Sequence, residues 1–128
     1  MVIDTSALIA ILLDEPDFHK YLALIQKADR RLISAASLLE ASMVLESRAG
    51  MAAGAELDLF IHDADIEVVP VDREHVDVAR RAWRKYGKGN HPAALNFGDC
   101  FSYALAKVSG EQLLATGSDF QQTDLELC

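Results

Sequence analysis

The chain has 128 residues, 51% apolar and 25% charged, which suits one compact domain with a core and leaves no room for a second. No apolar run approaches the roughly 20 residues of a bilayer span, and Met1-Val2-Ile3-Asp4 lacks a basic leader or cleavage signal, so a soluble cytoplasmic protein is expected. The net charge of −8 argues against nucleic-acid binding by bulk positive charge, and Cys100 and Cys128, without Cys-x-x-Cys or ligand spacing to any histidine, do not suggest a zinc site or disulfide framework.

Short apolar runs alternate with longer helical patterns. Val2-Ile3 reads as a first strand, and Leu8, Ile11 and Leu12 form one stripe of a helix over Thr5 to Leu13. Pro16, favoured in a first helical turn, starts a second helix with Phe18, Tyr21, Leu22 and Ile25 as its apolar face. Arg31 to Ser34 is the second strand, followed by a helix over Ala36 to Ala49 that is apolar almost all round. Ala52 to Ala64 is helical with Leu57, Phe60 and Ile61 inward, and Glu67 to Pro70 is the third strand. Asp72 caps a helix over Arg73 to Tyr86, where Val76, Ala79 and Trp83 recur at helical spacing. Gly87-Lys88-Gly89-Asn90-His91-Pro92 is a loop, Asp99 opens a helix to Lys107, and Leu113 to Ala115 is the last strand. This alternation predicts an α/β fold, with βαβ units around a short, mostly parallel sheet in one domain spanning 1–128.

Four acids stand out against that pattern. In an open parallel sheet, ligands bind beyond the carboxyl ends of the strands. Asp4 and Asp119 each follow a strand, Glu40 lies about one turn into a helix that leaves one, and Asp99 begins a helix whose amino terminus lies at the same edge. Taken singly, Asp4 and Asp99 read as helix N-caps and Asp119 as a turn residue. A lone carboxylate in an apolar helix, as at Glu40, costs several kcal/mol to bury unless it is used. Together the four form an oxygen-ligand cage suited to Mg²⁺ or Mn²⁺. Arg80, Arg81, Arg84, Lys85 and Lys88 add a run of positive charge without an acid, either a solvated helix face or a hold on a phosphate backbone.

The segments Val2-Ile3-Asp4-Thr5-Ser6-Ala7-Leu8, Asn96 to Ala106 and Leu113 to Asp124, with Glu40 between, resemble the PIN domain. More narrowly, they resemble the VapC-like toxin ribonucleases of bacterial type II toxin–antitoxin pairs, in order and over essentially the whole chain. The resemblance implies an α/β/α sandwich, Mg²⁺- or Mn²⁺-dependent endonucleolytic cleavage of RNA, a cognate antitoxin and a homodimer. Asp4, Glu40, Asp99 and Asp119 match the family's acidic quartet, and Thr5 and Ser6 match the polar positions after its first Asp. Ser118 departs from it, standing where relatives often carry a second acid.

In the mechanism expected, Asp4, Asp99 and Asp119 bind the metal and Glu40 serves as a base or second-metal ligand. Ser6 and Thr116 orient ligands or water, or else satisfy backbone groups. The alternative is a catalytically inactive PIN scaffold that binds RNA or protein. A response-regulator receiver lacks its adjacent acids and late lysine here, an Asp-x-Asp phosphatase is excluded by Ser6, and no phosphate-binding Gly-x-x-x-x-Gly-Lys loop occurs.

Overall fold

The computed structural model describes residues 1–128. Strands β1 (Val2–Ile3), β2 (Leu32–Ser34), β3 (Glu67–Val69) and β4 (Leu113–Leu114) form one sheet in the order β3-β2-β1-β4. Every neighbouring pair is parallel. Six helices connect them: α1 (Thr5–Leu12), α2 (Phe18–Lys27), α3 (Ala35–Ala49), α4 (Met51–Asp63), α5 (Arg73–Tyr86) and α6 (Phe97–Ser109).

The strands are short, yet they alternate cleanly. Ile3, Ile33 and Leu114 face a core built with Leu8, Ile25, Leu45 and Leu57 from α1 to α4. Val2, Leu32 and Leu113 face the opposite core, built with Tyr86 of α5 and Tyr103 and Leu105 of α6. Both faces of the sheet are thus covered, as a parallel sheet requires, and the result is the α/β/α sandwich expected. No helix is long and apolar enough to cross a membrane.

Three local readings are corrected. Helix α2 begins at Phe18 rather than Pro16, because Asp17 takes a left-handed backbone (φ +69°) that no helix can pass through. Helix α5 buries His75, Ala82 and Tyr86, whereas Val76 and Trp83 stay 39% and 52% exposed. A second stripe, Val78-Ala82-Tyr86 at i, i+4 spacing, packs against α6 instead. Helix α3, though apolar almost all round, is not buried all round, since it buries Ser37, Ala41 and Leu45 but leaves Leu39 and Met43 exposed.

The strand order positions the site. The chain steps outward from β1 to β2 and β3, then returns to lay β4 on the other side of β1. The order therefore reverses between β1 and β4, and the crevice at their carboxyl ends is where such sheets bind ligands. There the Asp4 N–H donates to the Leu114 carbonyl at 2.9 Å.

Candidate active site

Asp4 leaves β1 and caps α1, so its carboxylate is held from several sides. Its Oδ2 accepts the Ser6 N–H at 3.0 Å and the Ser6 hydroxyl at 2.7 Å. Its Oδ1 accepts the Ser102 hydroxyl at 2.5 Å, from the second turn of α6. Ser6 Oγ in turn accepts the Thr116 N–H at 3.0 Å, tying the turn after β4 to the turn after β1. Asp4 is only 5% exposed. With three of a carboxylate's roughly four lone-pair sites in use, Oδ1 keeps one to give.

Asp99 is the third residue of α6 rather than its opener. Asn96 caps the helix: its side chain accepts the Asp99 N–H at 2.9 Å, and the Asp99 carboxylate accepts the Asn96 N–H at 3.0 Å. This reciprocal capping box fixes the carboxylate at the helix amino terminus. Glu40 arrives from α3, which packs against α6. Its half-buried carboxylate lies directly over Gly98, where a Cβ would fall 2.2 Å from Oε2. Asp119 stands exposed in the turn after β4, beyond Gly117 at φ +78°.

The other three carboxylates all bear on Asp99. Burial pushes the Asp99 carboxyl up from 3.8 to about 6 against its hydrogen bond from Asn96, and the charges of Asp4, Asp119 and Glu40 all push the same way. None of the protein's ion pairs involves any of the four. An all-oxygen donor set without a basic partner fits a hard divalent cation. As the side chains stand, no three His, Cys, Asp or Glu groups close on one point at ligand distance. Asp4 and Asp99 are locked by hydrogen bonds, so closure falls to Glu40 and Asp119, whose carboxylates make none.

The PIN domain family matches residues 1–126. The chain belongs to the PIN-domain family. It is 54% identical over 125 residues to VapC ribonuclease Mb0640 of Mycobacterium bovis, covering 98% of this chain and 95% of that one. Ribonuclease VapC of Mycolicibacterium smegmatis is also 54% identical over 125 residues, covering 98% and 97%. Among solved structures, Mycobacterium tuberculosis VapC20, a sarcin-ricin loop cleaving toxin, matches with a TM-score of 0.78 at 20% identity over 97% of this chain and 95% of that one. VapBC2 from Rickettsia felis, bound to a DNA fragment from its promoter, matches with a TM-score of 0.78 at 15% identity over 99% and 96%. At such identities the two structures bear on the fold alone.

In this PIN domain the supporting polar residues divide. Ser6 holds Asp4 directly, whereas Thr116 contributes its backbone N–H and Thr5 Oγ1 donates to the Ser37 carbonyl at 2.9 Å. Ser102 and Ser37 escape sequence reasoning. Their hydroxyls lie 3.2 Å apart, and both residues are buried. The available signal was a serine three residues after Asp99, on the inward face of an otherwise apolar helix. Gly98 and Asn96 were also missed as parts of the site.

The five basic residues divide as well. Arg80 and Lys88 line a groove between α5 and the start of α6, beside Asn96 and Phe97. Arg81 and Lys85 line a separate hollow with Tyr103 and Lys107, while Arg84 is exposed and lines neither. His91 is half-buried, with Nδ1 accepting the Ala93 N–H at 3.0 Å and its ring edge-on to Tyr86, so it shapes the loop. Cys100 packs in the core, as a small apolar residue would.

Proposed function

We propose that this PIN domain is a Mg²⁺- or Mn²⁺-dependent endoribonuclease, the toxin of a toxin–antitoxin pair. The observation that carries the reading is the group of four carboxylates, without a basic partner, at the β1–β4 switch point, where the charges of Asp4, Asp119 and Glu40 all bear on Asp99. The names of the 54%-identical relatives, both VapC ribonucleases, support the same activity.

Asp4, Asp99 and Asp119 would hold the cation, with Glu40 as base or second-metal ligand. A bound divalent cation supplies an acidified water and neutralises charge developing on the phosphate. Ser102 and Ser6 keep the Asp4 carboxylate aimed into the crevice, and the capping box does the same for Asp99. Glu40, unencumbered by hydrogen bonds, accepts the proton of the attacking water at a carboxylate oxygen. A cognate antitoxin would neutralise the enzyme by setting an arginine or lysine among the same carboxylates.

Cleavage of total bacterial RNA by the antitoxin-free protein tests this, with Mg²⁺, Mn²⁺ or a chelator present and metal binding followed by calorimetry. Discrete cuts with metal and none with chelator are expected. Cuts that persist in chelator would sink the reading, and intact RNA with no metal bound would leave an inactive scaffold. Ser102→Ala should weaken Mn²⁺ binding about ten-fold, the usual cost of losing a group that orients a ligand. The same titration checks it, and unchanged affinity would mean that Ser102 only fills space.

A further inference from the structure

We propose that the groove between α5 and the start of α6 seats one unpaired nucleobase of the RNA strand, stacked on Trp83 and Phe97, with adjoining phosphates on Arg80 and Lys88. This deepens the nuclease reading above and rests on it. The groove encloses about 620 Å³, and apolar side chains, including Val76 and Phe101, make most of its wall. Two large aromatic residues stand open there, Trp83 at 52% and Phe97 at 82% exposure. The Phe97 ring is braced edge-to-face by Phe101, with centroids 4.9 Å apart. A contiguous apolar surface of this kind on a soluble domain marks a contact site.

Its chemistry selects the occupant. Arg80 and Lys88 line the same groove, and neither has an ion-pair partner in a chain of net charge −8. A nucleotide, flat and apolar on the faces of its base and anionic at its phosphate, complements both the rings and the cations. Single-stranded nucleic acid is bound in this way, by bases on aromatic rings and phosphates on flanking cations. The other exposed apolar set, Leu39 and Met43 of α3 with Met51 and Leu59 of α4, has neither aromatic ring nor cation and cannot stack a base. Location agrees with chemistry. Asn96 lines the groove and also accepts the Asp99 N–H, so a base seated there lies beside the residue that fixes the Asp99 carboxylate.

Trp83 is the only tryptophan, so its emission reports on the groove directly. In chelator, the full chain is titrated with a single-stranded RNA oligomer and with an abasic oligomer carrying the same number of phosphates, and the anisotropy of an end-labelled oligomer gives the affinities, including those of variants that lack Trp83. RNA should quench Trp83 and bind about five- to a hundred-fold more tightly than the abasic strand, the range for one base on an aromatic ring. Trp83→Ala, at a half-exposed position that the core does not need, should abolish that advantage. Trp83→Phe should keep most of it, and Phe97→Ala should reduce it. Equal affinity for the two oligomers, or emission indifferent to RNA, overturns the proposal. So does a blue shift that grows with protein concentration alone, which gives the groove to a second copy of the chain. The readout needs no cleavage: quenching in a protein that cuts nothing retains the seat and removes the nuclease. Metal-dependent cutting with kcat/KM unmoved by Trp83→Ala does the reverse.

Discussion

Asp99→Asn is expected to abolish RNA cleavage while raising the melting temperature of the metal-free protein. The asparagine Oδ1 can still accept the Asn96 N–H, so the capping box and the fold survive. What disappears is a charged ligand worth several kcal/mol to the transition state, or about a thousand-fold in rate at 1.36 kcal/mol per decade. The stability gain follows from the carboxyl raised to about 6. The folded protein binds that proton more tightly than the unfolded chain, so stability falls as pH rises from 3.8 to about 6, and the whole penalty is present above that window. Removing the charge should return about 1 kcal/mol at pH 7, with solvent screening of this partly exposed group allowed for. Melting curves of both proteins from pH 4 to 8 check the sign, because the difference should close at the acid end. Saturating Mg²⁺ should stabilise the wild type by a few kcal/mol at about a hundred times its Kd and leave the variant unmoved. A variant that still cleaves would remove Asp99 from the active site.

Gly98→Ala should yield a protein at least as stable as the wild type and much less active. The added Cβ would lie 2.2 Å from Glu40 Oε2 and 2.7 Å from its Cδ, so the carboxylate must leave the α6 amino terminus. The obstacle is the end of a flexible side chain, and alanine gains about 0.5–1 kcal/mol over glycine inside a helix. Displacing a base by a few ångströms should cost about 100-fold in cleavage, the lower end of the range for general-base catalysis. In a double-mutant cycle, Gly98→Ala added to Glu40→Ala should cost nothing further, because both changes remove the same carboxylate. Additive losses would show that Gly98 serves another purpose.

Period and punctuation made most elements legible in the sequence. Leu57 faces inward on α4, Asp72 caps α5 by accepting the His75 N–H at 3.0 Å, and the loop after Tyr86 lies where its glycines and proline put it. The failures share a cause. Helix α5 carries two apolar stripes, and local spacing cannot say which one meets the sheet. The more conspicuous stripe, with Trp83, turned out to line the open groove. Glu40 was singled out because a buried charge is costly, but α3 is exposed along one side. Its position over Gly98 is the better evidence, and it needs two helices to be seen at once.

The sequence by itself determined the α/β class, the caps at Asp4 and Asp72 and the four acids at strand ends and helix starts, because those depend on contacts within a few residues. Only the tertiary structure decided that β4 returns beside β1, which brings Asp119 to the crevice of Asp4. It also decided that Ser102, 98 positions from Asp4, supplies that carboxylate's buried hydrogen bond, and that Arg80 and Lys88 share a wall with Trp83 while Arg81 and Lys85 face away. The reason is physical: strand order and helix facing are chosen by burial summed over the whole chain, and no local window of sequence contains that sum.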